Sequence, residues 1–402
     1  GLGINDRQTR IEQTIPSNNI ITHLVFIVIL CSNKLNRNNE DLRREKQYKN
    51  QLGCHTIYDF SAYYQYYWHP TAMSFEHIPA ATWWLAVAMY AISGITITAG
   101  YHRLFSHKSY QARPLIKALF AVFGATNYQG SIAEWSTDHR MHHRHTDTDK
   151  DPYSVKKGFW HAHMAGFLLS TKKKRDFNIV SDLLADPIVK WQHKHIGSLM
   201  LTMGFLFPAL VASLWGDPLG GLLVAGGLRL VINLHCTWAI NSICHTFGKA
   251  NYINQSAKDN WITALFTWGE GHHNFHHQFP IDYRNGTRWF HYDPTKWLIR
   301  LFHYCGLAHH LKSVAPSKIL QYKINYQHIC LNNHPLFMNI ASQTVEKIQD
   351  SYNQLQTKIQ CLAKFESKLS ILQNQLKEFP SSNELQQKIK IHQKLLKEKW
   401  KE

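Results

Sequence analysis

Residues 82–101 read TWWLAVAMYAISGITITAGY, twenty consecutive residues without a charged side chain. A helix of about 20 apolar residues is long enough to cross the hydrocarbon core of a bilayer. Residues 196–215 are also uncharged, and residues 219–240 carry one Arg and one His. The Gly-Asp-Pro link at 216–218 has the composition of a tight turn. The sequence therefore predicts three membrane-spanning helices, the last two of which form a hairpin.

The composition of the 402-residue chain excludes several classes of protein. Hydrophobic residues make up 44% and aromatic residues 13%, which is enough to bury a large core and excludes disorder throughout. Seven cysteines contain no CxxC pair, so neither a disulfide framework nor a cysteine zinc site is indicated. The net charge of +17 suits an anionic partner, such as a lipid surface, a phosphorylated substrate or a nucleic acid.

The two ends of the chain differ from its middle. Residues 1–55 form a divergent N-terminal region in which 20–31 (IITHLVFIVILC) is apolar but only 12 residues long, so it is at most a short span. In residues 321–402, apolar side chains recur at steps of three and four, with a break at 380–383 (PSSN). This pattern predicts a helical tail that forms a hairpin or short coiled coil over about 345–400. An interaction module and a solvated extension are both compatible with it.

Charge orients the predicted spans. Residues 102–195 contain fifteen Lys and Arg against eight Asp and Glu, whereas the turn at 216–218 holds one Asp. The positive-inside rule therefore places 102–195 and the chain after about 241 in the cytoplasm. The apolar stretch 115–133 is not predicted to cross, because a crossing there would separate its two flanking histidine clusters.

Histidine is the anomalous residue type, with 27 copies that are strongly clustered. Two clusters, in DHRMHHRH (138–145) and GEGHHNFHH (269–277), share the spacing H-x-x-H-H, which places three imidazoles on one face of a helix. In GYHRLFSH (100–107) the two histidines are five residues apart and diverge by roughly 140° on a regular helix. They can converge only if the helix end is distorted. The candidate ligands from the clusters are His102, His107, His139, His142, His143, His273, His276 and His277.

Eight imidazoles are too many for one metal ion and suit two. Imidazole is a good ligand for Zn, Cu, Fe and Ni. A structural zinc site is usually a closed set of four ligands that includes cysteine, and no cysteine falls inside a cluster. A two-metal site at the mouth of a membrane bundle indicates redox chemistry on a substrate in the bilayer, for which iron with dioxygen is the usual cofactor.

The motifs HRLFSH (102–107), HRMHH (139–143) and GEGHHNFHHQFP (269–280) resemble the three histidine boxes of membrane-bound acyl-CoA fatty acid desaturases of the Δ9, stearoyl-CoA type. The resemblance runs from about 80 to 310. It implies a desaturase domain over 56–320 with an all-α integral membrane fold. About four transmembrane helices would carry a cytoplasmic helical cap with a His-rich dimetal site.

The resemblance also implies a ninth histidine and a water-mediated ligand. In this family a histidine at the cytoplasmic end of the last span follows an Asn by four residues, which NSICH (241–245) matches. The implied metal site therefore consists of the eight clustered histidines together with His245, and of Asn241 through a water molecule.

The substrate contacts implied by the resemblance lie on the same elements. The family lines the bend of its acyl tunnel with a Gln, a Trp and a Thr, which match Gln129, Trp135 and Thr237. Trp238 matches a residue near the thioester end, although core packing is an equally good interpretation of this side chain. Asp138 is expected either to support a histidine ligand or to contact the substrate.

The expected carrier of the acyl chain is coenzyme A, but the family's Asn after Gln129 is Gly130 here, and its Arg before Asp138 is Thr137. These changes leave room for another carrier. A group of basic residues on the predicted cytoplasmic side can bind the phosphates of coenzyme A or, as we favour, anionic lipid headgroups. They are Lys156, Lys157, Lys172, Lys173, Lys174 and Arg175.

The implied activity is the oxygen-dependent desaturation of a long-chain saturated acyl group at the ninth bond, with two Fe2+ ions as cofactor and O2 as co-substrate. The chain contains no HPGG-type cytochrome b5 loop and no GxGxxG fingerprint, so we expect a separate electron donor of the ferredoxin or cytochrome b5 type. A nucleic-acid partner is not expected. A hydroxylase with similar histidine boxes, and a non-catalytic metal-binding membrane protein derived from a desaturase, are the alternatives.

Overall fold

Helices dominate this computed structural model, which describes residues 78–170, 175–253, 256–335 and 342–401. The predicted N-terminal region, with its short apolar stretch at 20–31, lies outside the described residues. All elements below belong to the unit Ala80–Glu402. In chain order the helices are α1 (Ala80–Ser106), α2 (Pro114–Asn127), α3 (Ile132–His145), α4 (161–170), α5 (Pro187–Lys194), α6 (Ile196–Trp215), α7 (Pro218–Thr246), α8 (Trp261–Phe266), α9 (His273–Gln278), α10 (Pro294–Tyr304), α11 (Pro316–Asn332), α12 (Ser342–Glu378) and α13 (Asn383–Lys399).

Three one-turn helices and two short strands lie in the segments between these helices. One-turn helices lie at Val155–Lys157, Phe177–Val180 and Ser181–Leu184. Two strands, β1 (Gln111–Ala112) and β2 (Ala308–His309), pair antiparallel. The prediction of a mostly helical chain is therefore confirmed.

Three helices, α1, α6 and α7, are long and apolar enough to cross a membrane, with mean hydropathy of 1.5, 1.8 and 1.5. They coincide with the three predicted spans, each of which is therefore helical. Helices α1 and α7 continue beyond the predicted ends at 101 and 240, because hydropathy falls where polar side chains begin although the backbone stays helical. Helix α2 has 14 residues and stops at Asn127, before Tyr128 with its left-handed φ of 55°, so 115–133 is not one continuous helix.

Helices α1 and α7 run in the same direction. At the start of α1, the Thr82 hydroxyl donates to the Asp217 carboxylate in the α6–α7 turn and accepts from Trp215 Nε1 at 2.9 Å. Asp217 also caps α7 by accepting from the Gly220 amide at 2.9 Å. The C-terminal ends of α1 and α7, which carry histidines, consequently lie at the opposite end of the bundle from this turn.

A buried arginine joins four helices within the bundle. The Arg229 guanidinium, 2% exposed on α7, donates to Ala225 O, Ser93 Oγ, Thr126 O and Gly204 O at 2.8–3.2 Å. These acceptors belong to α7, α1, α2 and α6. Each is a neutral oxygen, and together they replace the water that the charge loses on burial.

Helices α2, α3 and α5 pack around the end of α1. The core between them contains Ile97, Phe105, Ile116, Phe120 and Val189. The side chain of Gln192 on α5 connects two of these helices, because its Nε2 donates to the Tyr101 hydroxyl at 2.6 Å and its Oε1 accepts from the Ile132 amide at 3.0 Å. This packing holds the first two histidine clusters against each other.

The C-terminal residues form a helical hairpin, defined here as α12 and α13. Ile359 and Leu362 on α12 and Ile389 on α13 are buried, and a short turn at 379–382 joins the two helices. Helix α11 precedes the hairpin, and its Ser317 donates through the amide and hydroxyl to Glu366 on α12. Because α11 begins at Pro316, the predicted domain boundary at 320 falls inside a helix and stays a prediction.

The Thr82 contact predicts a specific loss of stability. Thr82→Val removes two hydrogen bonds and leaves Trp215 and Asp217 without this partner, so the free energy of unfolding should fall by about 1–3 kcal/mol. The thermal midpoint in detergent measures this loss. Thr202→Val in α6 is the matched control, since its hydroxyl donates to Ser198 O in the same helix. Equal shifts for both variants would contradict the proposed contact.

Candidate metal centre

The structure brings all nine predicted histidines together at the ends of α1 and α7 and on α3 and α9. They form two groups, and within each group the nearest ring nitrogens all lie within 4.8 Å of one another. We call the two groups together the nine-histidine centre. Group one is His102, His107, His139, His143 and His276, and group two is His142, His245, His273 and His277.

Each H-x-x-H-H motif divides its histidines between the two groups. On α3, His139 and His143 belong to group one, while His142 belongs to group two. On α9 the division is reversed, with His273 and His277 in group two and His276 in group one. Residues four apart point the same way on a helix, and the intervening histidine is rotated toward the neighbouring group. The shared helix face that the spacing predicts thus contributes to two sites rather than one.

A widened helix explains how His102 and His107 converge. The last part of α1, Thr96–Ser106, is a π-helix, in which hydrogen bonds join residues five apart. The His107 amide donates to His102 O at 3.0 Å, which is such a bond. The wider turn brings residues five apart closer to one face than a regular helix does, and the His102 and His107 ring centroids lie 4.8 Å apart. The predicted distortion of the helix end takes this form.

The histidine rings present their Nε2 atoms to one another at short range. Nε2 to Nε2 distances are 3.0 Å for His102–His276, 2.8 Å for His107–His139, 2.9 Å for His143–His276, 3.3 Å for His142–His277 and 3.0 Å for both His245–His273 and His273–His277. The rings of His143 and His277 stack at 4.3 Å and connect the two groups.

Burial favours the neutral imidazole that metal binding requires. Burial, followed by the neighbouring histidines, holds the pKa well below its usual value near 6.5 for His139, His143, His273, His276 and His277. Hydrogen bonds between rings can satisfy only some of so many converging nitrogen atoms, whereas a cation in each group can accept all their lone pairs. Imidazole nitrogen is a ligand of borderline metals such as iron and zinc. The residues therefore fit a metal cofactor.

Two carboxylates that the sequence analysis did not assign hold one histidine in each group. Glu270 Oε2 lies 2.8 Å from His102 Nδ1, and Asp151 Oδ1 lies 2.9 Å from His142 Nδ1. Burial opposes ionisation of both acids, but contact with the histidines brings the pKa of each below its usual value. A carboxylate on Nδ1 fixes the ring with its Nε2 lone pair toward the metal.

A hydroxyl has the same role for a third histidine. Ser256 Oγ donates to Asp147 Oδ1 at 2.8 Å, so it accepts from His245 Nδ1 at 2.7 Å. The Nδ1 atom of His245 therefore carries the proton and Nε2 is free to bind. Asp147 adopts a left-handed φ of 63° at the end of α3, which directs its carboxylate toward Ser256.

Glu270 belongs to a buried charge network behind the centre. Arg103, 1% exposed, reaches Glu270 Oε1 at 2.9 Å and Asp293 Oδ1 at 3.0 Å. Asn285 Nδ2 donates to Glu270 Oε2 at 2.8 Å, and its amide donates to Asp293 Oδ2 at 2.9 Å. The supporting acids lie in TDTDKDPY (146–153) and GEG (269–271), but nothing in the spacing of these motifs indicates which carboxylate reaches a ring.

A cavity of about 690 Å3, which includes its opening, lies against the nine-histidine centre. Three of the histidines form part of its wall, and the remaining lining is mostly apolar or aromatic. Asn241 contributes to the wall between α7 and the centre. Among the lining residues are His102, His139, His273, Gly94, Ile97, Trp135, Phe167, Thr237, Ile240, Asn241, Phe266 and Trp268. Such a space suits an apolar ligand beside a reactive metal.

A hydrogen-bonded triad connects the residues predicted at the substrate bend. Trp135 Nε1 donates to Gln129 Oε1 at 2.9 Å, and Gln129 Nε2 donates to Thr237 Oγ1 at 3.2 Å. Thr237 donates in turn to Asn233 O at 2.9 Å. Trp135 also stacks on His139, with ring centroids 4.6 Å apart. These contacts hold the wall of the cavity in place beside the first metal group.

Two predicted substrate residues have other contacts. Trp238 is buried with Leu230 and Leu234, the arrangement expected of a core residue. Asp138 accepts from Arg175 Nε and Nη2 at 2.9–3.0 Å, so its side chain forms an ion pair. Lys156 and Lys157 are exposed, and residues 172–174 lie outside the described ranges.

Nine histidines from two membrane-capable helices and two short helices meet beside a largely apolar cavity, which is the arrangement of a membrane protein with a histidine-rich metal site. The chain belongs to the fatty acid desaturase family, which it matches over residues 80–311.

Several curated proteins are similar to this chain. It is 48% identical over 237 residues to a probable acyl-CoA desaturase of Schizosaccharomyces pombe, covering 58% of this chain and 50% of the relative. It is 40% identical over 257 residues to acyl-CoA desaturase 1 of Saccharomyces cerevisiae, covering 63% of this chain and 50% of the relative. Identity to a Delta(9)-fatty-acid desaturase of Caenorhabditis elegans is 38% over 263 residues, 63% and 78% of the two chains. The chain spans about half the length of the two yeast relatives.

Loss of the Asp151 carboxylate should weaken metal retention. Asp151→Ala releases the His142 ring, so the second group should hold metal about 10–100-fold more weakly. Metal content per chain after dialysis against a chelator measures the effect. Asp149→Ala, at an exposed position two residues earlier, is the matched control and should retain wild-type metal content. Full retention by both variants would remove Asp151 from the support of the centre.

Proposed function

We propose that the chain desaturates a long-chain saturated fatty acyl group. The observation that carries this proposal is the position of His102, His139 and His273, which belong both to the nine-histidine centre and to the wall of the apolar cavity. A saturated chain in the cavity would therefore lie beside the metal. Membership in the fatty acid desaturase family supports the same reaction.

The reaction removes two hydrogens from adjacent carbons. R–CH2–CH2–R′, O2, two electrons and two protons give R–CH=CH–R′ and two water molecules. When bound, two iron ions would supply the oxidising power that an unactivated C–H bond requires. Group one would hold one ion and group two the other, with Asn241 on the cavity wall as a ligand through water.

The chain's own residues would position the acyl group and exclude water. Trp135 and Thr237 line the cavity and Gln129 bridges them, so the acyl chain would bend against this wall and present one pair of carbons to the metal. Apolar side chains such as Ile97, Phe167 and Ile240 would surround the rest of the chain and keep the site dry. We propose a cis double bond, and we place it at the ninth position, as in the name of the Caenorhabditis elegans relative.

The carrier and partners follow from the same relatives. Two are named acyl-CoA desaturases, so we propose a long-chain acyl-CoA as substrate, with another acyl carrier as the alternative. Trp238, behind the cavity residue Phe167, and Asp138, paired with Arg175, are proposed at the thioester end. We propose that the centre faces the cytoplasm in contact with membrane lipids and that a separate ferredoxin or cytochrome b5 supplies the electrons.

Fatty acid analysis of a desaturase-deficient host that expresses this chain tests the proposal. A cis monounsaturated product at the ninth bond is the expected result. An acyl product that carries a hydroxyl group would identify a hydroxylase instead. A protein that is loaded with two irons and supplied with reduced donor, yet leaves the acyl chains saturated, would identify a non-catalytic metal-binding protein.

A histidine substitution separates ligation from folding. His142→Ala should reduce turnover to background while the protein stays in the membrane. The His142 ring supplies one nitrogen to group two, so its loss removes a metal ligand without removing packing of the bundle. His145→Ala, three residues further along the chain and outside both groups, should retain turnover. Product formation and the amount of membrane protein are measured together. Normal desaturation by His142→Ala would refute the ligand assignment.

The triad predicts control over the position of the double bond. Thr237→Val leaves the Gln129 amide without this acceptor, so the wall should loosen, turnover should fall by about tenfold and positional isomers should appear, with metal content unchanged. Thr246→Val, whose hydroxyl donates to Ser242 O within α7, is the control. Gas chromatography with mass spectrometry gives the isomer ratio, and a single unchanged isomer at normal rate would exclude this role.

A further inference from the structure

Another pair of histidines in contact lies outside the nine-histidine centre. His163 on α4 and His235 on α7 approach with 3.0 Å between Nε2 of the first and Nδ1 of the second. His235, which belongs to the predicted span 219–240, lies exposed on the surface of α7, and His163 beside it is half-buried. The proposed desaturation does not use either residue.

The tautomer of His163 follows from its hydrogen bonds. Ser242 Oγ donates to Trp238 O at 3.1 Å, so it accepts from His163 Nδ1 at 2.9 Å. The proton of neutral His163 is therefore on Nδ1, and Nε2 turns a lone pair toward His235. Ser256 fixes His245 of the nine-histidine centre in the same way. Hydrogen bonding of the other ring nitrogen is typical of histidines that bind metals.

We propose that His163 and His235 form a binding site for a divalent cation of the Cu2+ type. The 3.0 Å between their nitrogen atoms falls within the 2.8–3.3 Å found between ring nitrogens of the nine-histidine centre. Two nitrogens at this separation, each about 2.0–2.1 Å from one ion, subtend roughly 95° at the metal. An angle near 90° suits the tetragonal geometry of Cu(II), with water in the other positions.

The surroundings of the pair keep the His163 ring neutral and in place. Burial, followed by the charge of His235, lowers the pKa of His163, which disfavours an imidazolium at this position. The aromatic rings of Phe159 and Trp160 lie 6.0 and 5.7 Å from the His163 ring, centroid to centroid, and confine its movement. The pair is therefore held at ligand spacing before a metal arrives.

Copper binding to the iron-loaded protein in detergent tests the site. One equivalent of Cu2+ should give an electron paramagnetic resonance signal with hyperfine coupling to two nitrogens, while the iron content stays constant. His163→Gln and His235→Gln should each weaken binding at least about tenfold, and Ser242→Ala should weaken it about tenfold because the ring loses its orientation. The double variant His309→Gln/His310→Gln, which removes two exposed histidines from another surface, should bind copper as the wild type does.

Two results would overturn the proposal. Unchanged copper affinity in His235→Gln would show that the bound ion sits elsewhere, since this exposed side chain can be replaced without disturbing the core. A wild-type protein that binds no more copper than either single variant would identify the pair as a hydrogen bond between two neutral rings. Because His163 and His235 are outside the nine-histidine centre, either result leaves the proposed desaturation intact.

Discussion

Nine imidazole lone pairs that point at one another are the constraint on which this structure depends. Such an arrangement is unfavourable unless a cation accepts the lone pairs and unless each ring is held in one tautomer. The fold meets the second condition from outside, with Glu270 and Asp151 on two rings and Ser256 on a third. The bundle brings the ends of α1 and α7 to one level, and α3 and α9 close the site from the cytoplasmic cap that we propose.

The local period of each helix decides which histidine serves which group. The π-helical end of α1 has a wider turn with hydrogen bonds between residues five apart, and His102 and His107 share a group there. On the regular turns of α3 and α9, residues four apart share a group and the histidine between them serves the other. One short motif can thus supply two adjacent sites, and consecutive histidines connect them.

Hydropathy and residue spacing predicted much of this molecule. The three spans, the turn at 216–218 and the break at 380–383 correspond to elements of the structure, because each depends on local composition. The supporting acids could not be predicted, since Asp151 lies nine residues from its ring and Glu270 lies 168 residues from His102, distances that only the tertiary fold closes. The contacts of Trp238 in the core and of Asp138 with Arg175 likewise depend on the tertiary fold. The region before residue 78 lies outside this comparison.

The Arg229 contacts bear on how the bundle is assembled in the bilayer. An arginine in the middle of an inserting helix costs about 2.5–3.5 kcal/mol, and the oxygen atoms that offset this cost come from α1, α2 and α6 as well as from α7 itself. All three partner helices precede α7 in the chain and are synthesised before it. The cost of Arg229 in the bilayer is therefore offset only where α7 packs against these three helices, so the insertion of α7 is energetically coupled to its packing.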